Sequence, residues 1–272
     1  MGTLLRFDDP APRLRDALRA RLGVDVGADA ADAAIRAEIA YYRAHFHRGR
    51  DADSLAALRA ACAEAMRPAL PAVADAPGRE LTAALLDALV FIPFPDAAPA
   101  LRSLRAAGCA LVVVSNWDCS LHERLAELGL ATLVDAVVAS AKAGAAKPER
   151  AIFERGLALA GVAAANAWHV GDSPREDVEG ARAAGIRAVL LARGAAPPTN
   201  GAGARGGAGA VGGAGTGAPG GAAAMGGAGT GAAAVSAAGT GAPGGAAAVP
   251  VLRGLDELPA LVASGGPYAV RP

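Results

Sequence analysis

Two apolar rhythms divide the chain. Between residues 13 and 90, large apolar residues recur every three or four positions, the spacing of one helix face. Leu14, Leu18 and Leu22 form a first stripe, and Gly23 marks its end. Ile35, Ile39, Tyr42 and Phe46 repeat the spacing inside a helix predicted over Ala30–Arg48. Ser54 is placed to cap a third helix, with Leu55, Leu58, Cys62 and Met66 on one face and Pro68 at its close. Leu81–Val90 predicts a fourth amphipathic piece. Together these segments predict a small helical subdomain, in which the Tyr42/Phe46 stripe reads as packing.

The rhythm changes at Phe91–Pro95 (FIPFP), a rigid proline connector. Continuous apolar runs now alternate with helical ones. Cys109–Val114 (CALVVV) predicts a strand buried on both faces. Further strands are predicted at Leu133–Val138, residues 167–171 and Ile186–Leu191. Helices are predicted at Pro99–Ala107, Leu121–Leu128, Pro148–Leu159 and residues 174–184. This alternation predicts an α/β fold with a doubly wound, Rossmann-like parallel sheet.

Residues 194–248 are almost entirely Gly, Ala, Pro, Thr and Ser, and GTGAPGGAAA occurs twice, at Gly215–Ala224 and Gly239–Ala248. With no large apolar residues to stack, the repeats predict a disordered linker rather than a solenoid. Gly201–Gly206 matches GxGxxG formally, but no strand leads into it and no apolar helix follows, so it carries no dinucleotide signal. Structure is expected to resume with a strand at Val249–Leu252 and a helix at Leu255–Val262. The expected organisation is therefore 1–12 as a leading segment, 13–90 as the helical block, 91–193 as the α/β core, 194–248 as linker and 249–265 as the end of the core.

Composition narrows the function classes. Lys plus Arg and Asp plus Glu each number 26, so no net basic field points to nucleic acid or to an anionic membrane. The 53% hydrophobic content is inflated by Ala, and no run approaches a membrane span. The opening residues, MGTLLRFDDP, turn acidic at once, unlike a secretory signal. Cys62, Cys109 and Cys119 are odd in number and lack metal-ligand spacing, as expected of thiols in a reducing cytoplasm. Lys142 and Lys147 are the only lysines.

Three strand ends carry polar residues that packing does not require. Ser115-Asn116 follows CALVVV; the pair suits a phosphate oxygen, or equally a turn or helix cap. Lys147 opens the 148–159 helix, where the dipole favours anions rather than cations; it reads as the partner of a bound anion or as a solvated loop residue. Asp172 follows the 167–171 strand, where α/β sheets bind ligands, and Asp177 lies one helical turn further on. Ser173-Pro174-Arg175-Glu176 between them reads as a capping box with Pro at the first helical position. The two carboxylates read either as ligands to one hard cation such as Mg²⁺ or as an acidic turn and a solvated helix face.

Order and spacing join these signals. VVVSNWD, AKPERAIF and HVGDSPREDVEGARAAG, in that sequence, resemble the haloacid dehalogenase-like (HAD) hydrolase superfamily over residues 2–193 and 249–263, and residues 13–90 resemble the helical cap of its phosphatase-like subgroup. The resemblance implies a Mg²⁺-dependent phosphomonoesterase acting on a small phosphorylated metabolite in the cytoplasm. In it, Ser115 and Asn116 bind the phosphoryl group and Lys147 neutralises that group and the nucleophile. Asp172 ligates Mg²⁺, and Asp177 ligates it or holds its water shell and the lysine. Two other classes stand beside this one: a non-catalytic phosphate-binding fragment, and a metal-independent 2-haloacid dehalogenase, a branch that usually lacks the Gly171-Asp172 pair.

The chain departs from the family at its start. The family's first strand ends in Asp-x-x-Gly-Thr-Leu, whose Asp is the nucleophile. Gly2-Thr3-Leu4 resembles the tail of that motif, which puts the nucleophile two residues before Met1. The first, central strand is therefore expected to be missing and the chain to be inactive as written. Such a strand buries roughly five apolar side chains at ~1.5–3 kcal/mol each, comparable to a domain's net ~5–15 kcal/mol. A start codon misplaced downstream of the true one accounts for the gap, and reading the upstream DNA in frame tests it.

Overall fold

The computed structural model describes residues 2–194, 232–236 and 249–265. A short strand, β1 (Leu5–Phe7), leads into helix α1 (Pro10–Leu22). Gly23 ends α1 in the left-handed region, φ 67°, with its N–H bonded to Arg19 O, a conformation favouring glycine. Helix α2 (Ala28–His45) continues as one 3₁₀ turn at Phe46–Arg48. Helix α3 (Ala52–Met66) is capped by Asp51, not by Ser54 as expected. Ser54 sits at the third helical position and closes the box reciprocally: its N–H donates to Asp51 Oδ1 (2.9 Å) and its Oγ accepts from Asp51 N (3.1 Å). A carboxylate at this helix start also meets the positive end of the dipole. Helix α4 (Gly78–Ala88) completes the block. Leu14, Leu18, Leu58, Met66, Leu81 and Leu85 share a core belonging to these helices alone.

The Phe91–Pro95 connector is more than a rigid link. Phe91–Pro93 is strand β2, paired antiparallel with β1 in register Arg6↔Ile92. The helical block thus leaves and re-enters the core over one two-stranded ribbon.

The core then runs α5 (Ala97–Ala106), β3 (Ala110–Ser115), α6 (Leu121–Glu127), β4 (Ala136–Ala139), a single helical turn α7 (Ser140–Ala143), α8 (Arg150–Ala160) and β5 (Ala167–Gly171). A π-helical turn at Pro174–Glu179 passes into α9 (Gly180–Ala183) and β6 (Arg187–Leu191). Strands β7 (Ala232–Ser236) and β8 (Val251–Leu252) and helix α10 (Leu258–Ala263) complete it. The sheet order is β4-β3-β7-β5-β6-β8, parallel except at β7. Alternation divides the strand side chains between two faces. Leu111, Val113, Trp168, Val170 and Val189 pack under α5, α6 and α10, whereas Val112, Val114 and Ala188 pack with Ile152 and Phe153 of α8. The α/β fold with a parallel sheet is as expected.

The middle of the sheet differs from the expectation. β3 and β5 flank a central slot, and β7, drawn from the Gly/Ala-rich segment, occupies it antiparallel to both, with Val113↔Ala233 and His169↔Ala234. Residues 232–236 are thus a strand rather than disordered linker. Without a strand there, β3 and β5 would leave backbone donors and acceptors unpaired inside the fold. The GxGxxG match and both decapeptide repeats lie outside the described residues. Among the described residues, no helix is long and apolar enough to cross a membrane.

Candidate active site

The parallel strands β3 and β5 both end at the same edge of the sheet, and the predicted residues follow those ends. Ser115, the last residue of β3, is fully buried, and its Oγ has no hydrogen-bond partner among the described residues. Asn116, also buried, is by contrast hydrogen-bonded. Its Nδ2 donates to Lys147 O (3.0 Å) and its Oδ1 accepts from Lys147 N (2.8 Å). Both ends of the amide are taken by the lysine's own backbone. Asn116 therefore positions Lys147, a role not foreseen for it beside the expected phosphate contact.

Lys147 is not a solvated loop residue. Its side chain is 0% exposed, and Nζ meets Asp177 Oδ1 at 2.5 Å. The same oxygen lies 3.2 Å from His169 Nε2, and Asp177 Oδ2 accepts from Ser173 N at 2.9 Å. Burial pushes the Asp177 carboxyl upward, but the Lys147 charge and the His169 contact outweigh it and hold the group well below the usual carboxylate range. Burial drives the His169 pKa down against the pull of Asp177, which keeps the imidazole neutral. His169 stacks edge-on against Phe153 at 5.0 Å between centroids.

This arrangement bears on two expectations. Asp177 accepts hydrogen bonds on both oxygens and holds the lysine, one of the two roles foreseen for it. The capping box is also half formed: Ser173 Oγ accepts from Glu176 N (3.1 Å), but the return bond to Ser173 N comes from Asp177, not Glu176. The π-helical turn, in which Val178 N bonds to Ser173 O, brings Asp177 back over the strand end. Gly171 makes room for it: a Cβ there would lie 2.1 Å from Asp177 Cγ.

Asp172 faces the beginning of the chain. Thr3 Oγ1 donates to Asp172 Oδ1 at 2.8 Å, and a Cβ on Gly2 would lie 2.4 Å from Oδ2. Arg193, just beyond β6, fastens this segment. Its guanidinium donates to Gly2 O (2.9 Å) and Thr3 O (2.8 Å), pairs with both oxygens of Asp96 (2.8 and 2.9 Å), and lies 3.8 Å over the Phe94 ring. Thr3, His169, Arg193 and Asp96 were not singled out in the sequence. Gly2-Thr3 and His169 lay inside the quoted motifs, but Arg193 and Asp96 are joined only by folding.

Asp8 and Asp9 do not enter the site. Asp8 pairs with Arg13, and Asp9 precedes α1 with a positive φ of 36°. Among the described residues, no cluster of three or more His, Cys, Asp or Glu could cage a metal. Mg²⁺ needs no such cage; it takes one or two carboxylates and completes its shell with water and phosphate oxygens. Asp172 fits that requirement, being half-buried, at a strand end, beside hard oxygen donors only. Just beyond the end of β3, Trp117 packs against Phe91 at 5.1 Å, and Asp118 accepts from Tyr42 Oη of α2 at 2.9 Å, joining the core to the helical block.

A family model described as haloacid dehalogenase-like hydrolase matches residues 1–185. A phosphoserine phosphatase of Thermus thermophilus is 40% identical over 105 residues, 38% of this chain and 42% of that protein. The match thus spans less than half of that curated relative's length. Two solved structures share the fold. A HAD phosphatase from Thermococcus onnurineus superposes with a TM-score of 0.52 at 22% identity, covering 99% of this chain and 96% of its own. The L-2-haloacid dehalogenase RSc1362 does so with 0.56 at 17% identity, covering 96% and 95%.

Proposed function

Since the chain belongs to the haloacid dehalogenase-like hydrolase family, we propose that its site is built for phosphoryl transfer from a small phosphorylated metabolite, with Mg²⁺ as cofactor and Asp172 as its protein carboxylate. One observation carries this reading above the others: a buried lysine, clamped through its backbone by Asn116 and through its ammonium by Asp177, and, at the residue before Asn116, a buried serine hydroxyl with no partner among the described residues. A buried hydroxyl without a partner costs about 1–3 kcal/mol. A phosphoryl oxygen satisfies it.

Each residue has a separate task in this reading. Ser115 donates its hydroxyl proton in a hydrogen bond to one phosphoryl oxygen. Lys147 supplies a fixed positive charge as negative charge redistributes over the group. Asp177 and neutral His169 hold the ammonium in place without themselves exchanging protons at neutral pH. Thr3 and Arg193 hold Asp172 and the Gly2-Thr3 segment together at the strand ends. Asp172 would hold the cation, which would supply further charge neutralisation when bound. The Gly171-Asp172 pair and the phosphatase relative support this reading over a metal-independent dehalogenase.

The nucleophile implied by the family motif falls upstream of Gly2-Thr3. The 272-residue chain is proposed to bind inorganic phosphate through Ser115 and Lys147. The test compares it with a chain extended upstream in frame, assayed for release of phosphate with Mg²⁺ and with EDTA. Mg²⁺-dependent activity in the extended chain alone supports the reading. Inactivity of both with retained phosphate binding favours a binding protein, and EDTA-insensitive halide release favours a dehalogenase.

A further inference from the structure

A cavity of about 210 Å³ lies between the helical block and the core. Its walls are largely apolar and aromatic: Phe91 from the ribbon, Trp117 beyond β3, Tyr42 and Ile39 from α2, and Leu58 and Leu85 from α3 and α4. Into this apolar lining comes a carboxyl group. Glu38 lines the cavity yet is only 3% exposed. Its side-chain partner is the thiol of Cys62, a weak donor. Asp118, on the same cavity, is already satisfied: Tyr42 Oη, Ser120 N and Ser120 Oγ all donate to it.

We propose that this cavity binds a small primary amine with an apolar body, and that Glu38 is the residue that selects it. A desolvated acid among aromatic walls is best met by a ligand cation. The ammonium makes a charge-assisted hydrogen bond, roughly twice as strong as a neutral one, and the aromatic rings of Trp117 and Tyr42 attract the same charge. Asp118 adds negative potential nearby. Of the two arginines on the cavity, Arg124 is paired with Glu127 (2.6 Å) and stacks on Phe91, and Arg59 is half-exposed. Glu38 titrates upward to about 7, the direction burial imposes on an acid awaiting a counter-charge.

Trp117, Asp118 and Ser120 follow Ser115 and Asn116 directly in the chain. If the phosphoryl reading above holds, the amine therefore belongs to the leaving group, and the substrate class is the phosphate ester of a small apolar amino alcohol.

The experiment is calorimetric titration of the 272-residue chain at pH 8 with 2-phenylethylamine and with 2-phenylethanol, which share a body and differ in the charged end. The amine is expected to bind at least tenfold more tightly, and Glu38→Gln to remove the preference. Leu86→Trp, at an exposed position on the cavity rim, is expected to block the amine while the protein stays folded. Equal affinities, no amine binding, or a preference that survives Glu38→Gln overturns the assignment; should Glu38→Gln fail to fold, unimpeded amine binding to Leu86→Trp overturns it instead. Titration with inorganic phosphate separates the two readings. Loss of phosphate binding in Lys147→Met with amine affinity within twofold of the parent upholds both. Amine binding in a chain that never binds phosphate sinks the phosphoryl reading alone, and phosphate binding without amine binding sinks this one alone.

Discussion

Replacing Asp177 with Asn isolates the electrostatics at the centre of the site. The Lys147 side chain is 0% exposed and that of Asp177 1%. The substitution keeps the shape and removes the one carboxylate that pairs with the ammonium among the described residues. Breaking a buried pair by neutralising one partner costs about 3–5 kcal/mol, because the other charge stays buried without compensation. An exposed pair would cost about 1 kcal/mol or less. Urea unfolding separates the two cases, followed by the fluorescence of Trp168 and Trp117, both buried in the core. With a slope of about 2 kcal/mol per molar urea, the midpoint is expected to fall by about 1.5–2.5 M. Adding Lys147→Met to Asp177→Asn removes the orphaned charge and should recover part of that loss, giving a coupling energy of about 2–3 kcal/mol, at the upper end for contacting residues. The carboxyl is held below its ordinary value of about 4. Its contribution is therefore fully present above pH 4 and is lost as the pH falls further. A midpoint shift under about 0.5 M, or a coupling near zero, refutes the claim that the pair is desolvated and mutually dependent.

Three further outcomes follow from the same geometry. Gly171→Ala places a methyl group 2.1 Å from Asp177 Cγ, which is held on both oxygens and cannot yield. It is expected to destabilise by about 1–3 kcal/mol and to weaken phosphate binding at least tenfold, and parental affinity by calorimetry would contradict the close approach. Arg193→Met keeps an apolar stem over Phe94 but loses the bonds to Gly2 O, Thr3 O and Asp96. At about 1.5–3 kcal/mol for a charged hydrogen bond, exchange of the amides at residues 3–7 should accelerate at least tenfold in deuterium exchange; unchanged protection there counts against the fastening role. Glu38 is raised from 4.5 to about 7, chiefly by burial. Its protonated form therefore supports the fold fully below about 4.5, and that support is lost as the pH rises through 7, about 3 kcal/mol at about 1.4 kcal/mol per pH unit. Glu38→Gln should flatten the fall in Tm between pH 5 and 8, and an identical fall in both proteins would show that burial does not govern this group.

Local chemistry was legible wherever neighbours in the chain decide it. The three- and four-residue spacing of Leu14 to Met66, the glycine stop at Gly23 and the apolar run before Ser115 each depend on contacts within a few residues; the ends at Leu22 and Met66 fell where expected, while the helix starts at Pro10 and Ala52 lay about a turn earlier. The order of the Ser115, Lys147 and Asp172 segments sufficed for the family, because parallel strands carry their carboxyl ends to one edge. What the pattern could not assign was the use of each polar atom. Asn116 turned inward to the Lys147 backbone, Asp177 rather than Glu176 closed on Ser173, and Arg193 reached across the fold to Asp96 and Thr3. Those choices depend on which donors lie within 3 Å after folding, over separations of up to 190 residues. The central slot shows the same division. The family resemblance implied a central strand and expected it to be missing, but only the tertiary structure put Ala232–Ser236 between β3 and β5, because a backbone ladder accepts any segment whose N–H and C=O groups reach it.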